Sequence, residues 1–215
     1  MSESTVDTKL APTGPTNILN VPNLATIARI VLSAVLFLFL SIGWYKTSLV
    51  LFVVTAITDW FDGYWARKYG QITQLGRVLD PFADKLFICG VFIFLAATAP
   101  LADGTQPSGI AAWMAVVIVG RELLVTALRT FVEQSGGDFS AKWLGKWKMV
   151  LQCLAACWSI VHLTYLTASG TSWQTTPPDW MSHGLVMAAW AAVLLTLYSG
   201  FTYVRAAINM LRPSI

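Results

Sequence analysis

The stretch Ile57–Lys85, ITDWFDGYWARKYGQITQLGRVLDPFADK, sets four aspartates, Asp59, Asp62, Asp80 and Asp84, into a chain that is otherwise mostly apolar. Apolar runs flank it on both sides, so these acids must lie close to a lipid bilayer. Asp59 and Asp62 are three residues apart near the end of one run, and Asp80 and Asp84 four apart at the start of the next. On helices, each spacing puts its two carboxylates on one face. The polar segment RKYGQITQLGR between them makes the two helices antiparallel neighbours, which lets the acidic faces meet as a four-carboxylate cluster.

Composition fixes the class around this cluster. Of 215 residues, 56% are hydrophobic and only 12% charged, which excludes an ordinary soluble domain. Apolar runs recur at Leu24–Gly43, Thr47–Ala66, Val78–Ala99, Gly109–Val132, Leu144–Ala168 and His183–Val204. Each is near or above the roughly 20 residues that cross the hydrocarbon. The expected fold is therefore an all-α integral membrane protein with six transmembrane helices. Residues 1–15 read as a flexible cytoplasmic tail, and 16–215 as a single six-helix domain.

Loops rich in Lys and Arg stay in the cytoplasm. Arg29, Arg67, Lys68, Arg77, Lys85, Arg121, Arg129, Lys142, Lys146, Lys148 and Arg205 fall toward one side, whereas Lys46 stands on the other. Both termini are thus expected in the cytoplasm, and the net charge of +3 reflects topology rather than nucleic-acid binding. Cys89, Cys153 and Cys157 lie inside apolar runs with no CxxC pair and are expected to pack as free thiols. Trp44, Trp143, Trp173 and Trp180 near span ends fit an interfacial belt. His162 and His183 have no acidic neighbour and are expected to bond to backbone or water.

An aspartate at mid-span costs roughly 2.5–3.5 kcal/mol on insertion scales, less near the interface. Something must offset four of them. Hard oxygen donors without imidazole or thiolate suit Mg²⁺ or Mn²⁺, and a cage for one or two such ions also relieves the mutual repulsion. The plainer alternative has Arg67, Lys68, Arg77 and Lys85 neutralise the acids as structural ion pairs. Small residues favour the cage: Gly63 and Ala66 follow the first pair and Gly76 precedes the second, so backbone is bare where a flat ligand could approach.

Together the residues spell D-x-x-D-G-x-x-A-R-x₈-G-x-x-x-D-x-x-x-D from Asp59 to Asp84, which resembles the signature of the CDP-alcohol phosphotransferase family. The resemblance implies transfer of a phosphatidyl group from CDP-diacylglycerol to an alcohol, with CMP released. By that likeness Asp59, Asp62 and Asp80 hold two divalent ions, and Asp84 completes the cluster and acts as catalytic general base. Gly63, Ala66, Arg67 and Gly76 line the cytidine nucleotide, joined by Asn23, Thr26 and Arg29 from VPNLATIARI at Val21–Ile30.

GRELLVTALR and AKWLGKWKMVLQ resemble family members whose alcohol is sn-glycerol 3-phosphate. Arg121, Glu122, Arg129, Lys142, Lys146 and Lys148 would then form the acceptor pocket, with Arg129 on nearly the face of Arg121. Inositol phosphate is the nearest rival acceptor, and a cation transporter the rival from another class. Beyond Gln152 the last two spans read as generic membrane helix. The likeness further implies a multi-pass protein of the bacterial inner membrane with its site toward the cytoplasm. Small residues on several spans would permit a homodimer.

Overall fold

A computed structural model describes residues 21–69, 74–134, 142–167 and 177–211, and side chains within 23–58, 79–132, 147–167 and 177–209. The expected tail at 1–15 lies outside the described residues. Six helices follow in order: α1 Val21–Ser41, α2 Tyr45–Tyr69, α3 Gln74–Ala96, α4 Ala112–Gln134, α5 Lys142–Thr167 and α6 Asp179–Leu211. Among the described residues there is no strand. Three helices contain a stretch long and apolar enough to cross a membrane, Asn23–Ser41, Trp147–Thr167 and Asp179–Asn209, and Tyr45–Thr58 is a shorter apolar one.

The chain alternates in direction. Thr26 meets Asp80 and Phe37 stacks on Phe94, so α1 and α3 run parallel. Phe52 stacks on Phe87 across the antiparallel α2–α3 pair. Arg121 meets Ser199, and Trp113 meets Trp190, along the parallel α4 and α6. Helix α3 packs against α1, α4 and α5, while α6 closes the bundle against α4 and α5.

Leu36, Phe92, Leu95, Ile118 and Ile160 are fully buried where the helices meet, yet Val116, Met187 and Phe201 point outward, two-thirds or more exposed. Such a surface is insoluble in water and at home in lipid. Between the helices lie small polar groups, Ser33, Ser48 and Thr55 among them, all fully buried. Each donates its hydroxyl to the carbonyl four residues back, which satisfies it inside its own helix. Small side chains let helix backbones approach where lipid supplies no hydrophobic drive for association.

Gly90 is the tightest such approach: a Cβ there would fall within 2.7 Å of three atoms of the Phe37 ring. Stacking on Phe94, at 5.1 Å between centroids, limits where that ring can go. Gly90→Ala is expected to destabilise the protein by about 1–3 kcal/mol through overpacking of α1 on α3, read as a lower thermal midpoint in detergent. An unchanged midpoint would show that the contact yields freely.

The end of the bundle remote from the aspartates is tied by polar side chains. Gln106 donates to the Ala96 and Thr98 carbonyls, both at 2.9 Å, and so caps α3. Ser159 of α5 donates to the Ser108 carbonyl at 2.6 Å. His162 Nδ1 lies 2.8 Å from the Pro107 carbonyl and Nε2 3.3 Å from Ser182 Oγ, and exposed His183 bonds to the Asp179 carbonyl, so both histidines use backbone partners as expected. In the same loop Asp103 accepts from the Thr105 hydroxyl and amide, which holds its carboxyl below the usual range. That contribution is present above the ordinary aspartate pKa and is lost as pH falls. Trp44 and Trp180 are exposed at helix starts and turns, consistent with a belt, whereas the side chains of Trp143 and Trp173 lie outside the described residues. All three cysteines are free.

Two boundaries differ from expectation. The polar turn between α2 and α3 is shorter than RKYGQITQLGR, because Arg67–Tyr69 continue α2 and Gln74 already opens α3. Good helix formers at those positions extend both ends. Helix α6 outruns the expected His183–Val204 at both ends, and its 33 residues reach about 50 Å at the standard rise.

Candidate active site

Helix α1 supplies a buried polar stripe at Asn23, Thr26 and Arg29, one turn apart each, in a helix that is otherwise apolar. Helix α3 faces it with Asp80 and Asp84, also one turn apart. The two pairs form a ladder: Thr26 Oγ1 donates to Asp80 Oδ1, and Arg29 Nη1 to Asp84 Oδ1 at 2.6 Å. Arg29 is sequestered, its side chain 5% exposed, whereas Asp84 keeps 39% of its side chain accessible. One edge of the Asp84 carboxylate is thus fixed from α1 while the group still faces open space. Neutral and cationic donors stabilise two acids that would otherwise repel in a poorly screened setting.

Asp59, Asp62, Gly63, Ala66 and Arg67 fall on α2, and Gly76 on the first turn of α3, but their side chains lie outside the described residues. The four-acid cluster is therefore described for its α3 half. Lys85, one of the cations considered as a structural counter-ion, donates to the Pro81 carbonyl at 3.3 Å and makes no ion pair among the described residues. Among the described residues no three of His, Cys, Asp and Glu converge. Asp80 and Asp84 nonetheless offer an all-oxygen donor set, with both histidines tied down at the other end of the bundle, and such a set fits a hard divalent cation.

A second polar cluster spans α4, α5 and α6. Glu122, largely buried, accepts from Lys148 Nζ and lies 3.4 Å from Arg121 Nη1 through both carboxylate oxygens. Arg121 Nη2 donates to Ser199 Oγ at 2.5 Å, and its guanidinium stands 5.4 Å from the centroid of the Tyr203 ring. One turn deeper, Gln152 donates to Thr196 Oγ1 at 3.0 Å. Two cations thus share one carboxylate, leaving these groups a net positive charge. Cys89 on α3 lies within electrostatic range of Glu122, Lys148 and Lys85, so the cluster adjoins the helix that carries Asp80 and Asp84.

The structure gathers Arg121, Glu122 and Lys148 but separates them from Arg129, which is exposed. Eight residues advance a helix by two turns plus about 80° at 3.6 residues per turn, enough to carry Arg129 off the inward face. Lys142 and Lys146 open α5, but their side chains lie outside the described residues. The last two helices, read as generic, supply Gln152, Thr196, Ser199 and Tyr203 to the cluster. Thr196, Ser199 and Tyr203 follow helical spacing and form a polar stripe visible in the sequence itself.

Residues 19–198 match the family described as CDP-alcohol phosphatidyltransferase. The chain belongs to this family. It is similar to the CDP-diacylglycerol–glycerol-3-phosphate 3-phosphatidyltransferase of Bacillus subtilis strain 168, with 31% identity over 86% of this chain and 93% of the relative. The proteins of the same name from Escherichia coli K12 and Salmonella choleraesuis SC-B67 are each 30% identical over 87% of this chain and 94% of theirs. The family segment takes in both clusters, so this CDP-alcohol phosphatidyltransferase carries its acid ladder and its cationic cluster within one matched unit.

Proposed function

We propose that the protein transfers the phosphatidyl group of CDP-diacylglycerol to sn-glycerol 3-phosphate, giving phosphatidylglycerophosphate and CMP. The observation that carries this reading is the ladder of Thr26 and Arg29 on Asp80 and Asp84, at the end of the family signature. The names of its relatives support the same donor and acceptor. In this reading residues 16–215 form one six-span domain of the bacterial inner membrane. Both termini and the acids face the cytoplasm, where the soluble acceptor and CMP exchange, and a homodimer remains compatible with the fold.

In the reaction an acceptor hydroxyl attacks the phosphorus that bears diacylglycerol, the bond from that phosphorus to the bridging oxygen breaks, and CMP departs with the electron pair. Asp84 takes the hydroxyl proton; a positioned base typically contributes about 10²–10⁴-fold. Arg29 holds one carboxylate oxygen and so orients the other. Thr26 sets the rotamer of Asp80 in the same way. Asp59, Asp62, Asp80 and Asp84 would hold the Mg²⁺ or Mn²⁺ ions. When bound, these ions supply charge neutralisation at the pyrophosphate and the leaving group. Asn23, Gly63, Ala66, Arg67 and Gly76 would border the nucleotide.

The acceptor carries a phosphate, and the shared carboxylate of Arg121 and Lys148 leaves positive charge to receive it. A transporter reading gains nothing from this second cluster or from helices that continue unbroken through the acids.

The test is an alcohol panel on purified protein in mixed micelles with CDP-diacylglycerol and Mg²⁺. CMP release and a phosphatidyl product are expected with glycerol 3-phosphate and not with serine or inositol phosphate. Turnover preferring inositol phosphate would overturn the acceptor assignment. Arg121→Ala is expected to raise the KM for glycerol 3-phosphate on the order of 10²-fold, as a charged hydrogen-bonding partner is lost, with little change for the lipid. Equal rises for both substrates would contradict the pocket.

A further inference from the structure

We propose that Ser199 and Tyr203 of α6 are positioning residues, holding the Arg121 guanidinium so that one edge is presented to the phosphate of the acceptor alcohol. The inference rests on the acceptor reading above and assigns a role to a helix that carries none of the family signature.

Arg121 is held on several sides. Nη2 donates to Ser199 Oγ at 2.5 Å, and the guanidinium lies against the Tyr203 ring. Its stem runs along α6 at Gly200, where a Cβ would come within 3.1 Å of Arg121 Cγ. Tyr203 is itself fixed by packing with Val125, Val132 and Ala207. Glu122 contributes only the 3.4 Å contacts, because Lys148 is its closer partner.

What remains is the Nε edge. Nε is buried and has no hydrogen-bond partner, in a side chain only 9% exposed. A buried donor left unsatisfied is costly, and a phosphate oxygen accepting from it would remove that cost. The clamp therefore fixes a cation with a defined vacant donor, arranged for an oxyanion. A guanidinium free to rotate would instead collapse onto Glu122.

The experiment measures steady-state kinetics for Ser199→Ala, Tyr203→Leu and Tyr203→Phe, with the thermal midpoint of each protein titrated against glycerol 3-phosphate. Ser199→Ala is expected to raise the KM for glycerol 3-phosphate roughly tenfold through loss of a hydrogen bond to a charged group. Tyr203→Leu should raise it by a similar roughly tenfold factor through loss of the ring face, and Tyr203→Phe, which keeps the face, should restore it. The concentration of glycerol 3-phosphate that gives half the thermal shift should move in parallel, while kcat and the KM for CDP-diacylglycerol hold.

A merely structural role would lower kcat and the midpoint together without this split, and would overturn the proposal. So would unchanged KM values, or a wild-type midpoint indifferent to every phosphorylated alcohol. Failure of the functional reading looks different: wild-type protein that releases no CMP from CDP-diacylglycerol. If it works only with another phosphorylated alcohol, the same split is expected for that alcohol.

Discussion

Asp84→Asn is expected to lower kcat on the order of 10³-fold, within the range lost with a general base, while the protein stays folded. Asparagine keeps the shape of the side chain and an oxygen that can accept from Arg29 Nη1, now at 2.6 Å from Asp84 Oδ1. It cannot take a proton. With 39% of the Asp84 side chain accessible, the substitution imposes little packing cost. The thermal midpoint in detergent should therefore stay near the wild-type value, and the KM for glycerol 3-phosphate should change little. A variant that retained more than about a tenth of wild-type turnover would remove Asp84 from the role of base, since such a loss is below what positioned proton transfer contributes.

Glu122→Gln is expected to cost on the order of 3–5 kcal/mol of stability, the range for a buried pair that loses one partner. Lys148, whose side chain is 7% exposed, has Glu122 as its carboxylate, and Arg121 leans on the same group. Glutamine leaves two cations close together without an anion. The double variant Glu122→Gln with Lys148→Met should recover most of the loss, because replacing a whole buried pair by uncharged groups is often neutral. Chemical or thermal unfolding of both variants in one detergent decides the matter. A single variant as stable as wild type would mean that the pair does not hold α4 to α5.

The half of the site on α3 was legible because its signal is local. Two acids one turn apart, beside a short polar turn, define a helix face without knowledge of anything distant. Their partners were found from likeness alone: nothing in the spacing of Thr26 and Arg29 says that they reach residues 54 and 55 positions away. Ser199 stayed hidden for a physical reason. A lone hydroxyl in an apolar run is satisfied by its own helix, as Ser33, Ser48 and Thr55 are, so it carries no tertiary message by itself. Only its register with Thr196 and Tyr203 distinguishes it. Arg129 misled in the opposite sense, because two turns of spacing look like one face until the remaining rotation is counted.

Helix number was readable from the length of the apolar runs, whereas helix ends were not. Hydropathy reports where lipid stops, but α6 continues beyond it through Arg205 to Leu211 because nothing there breaks the backbone hydrogen bonding. The same holds where α2 runs on to Tyr69.

The most direct measurement is the anomalous scattering of Mn²⁺ in crystals grown with CDP-diacylglycerol. The account predicts density for manganese between α2 and α3, bounded by the carboxylates of Asp59, Asp62, Asp80 and Asp84 and absent in Asp80→Asn crystals. A map with the lipid bound and no anomalous peak at those acids would contradict it.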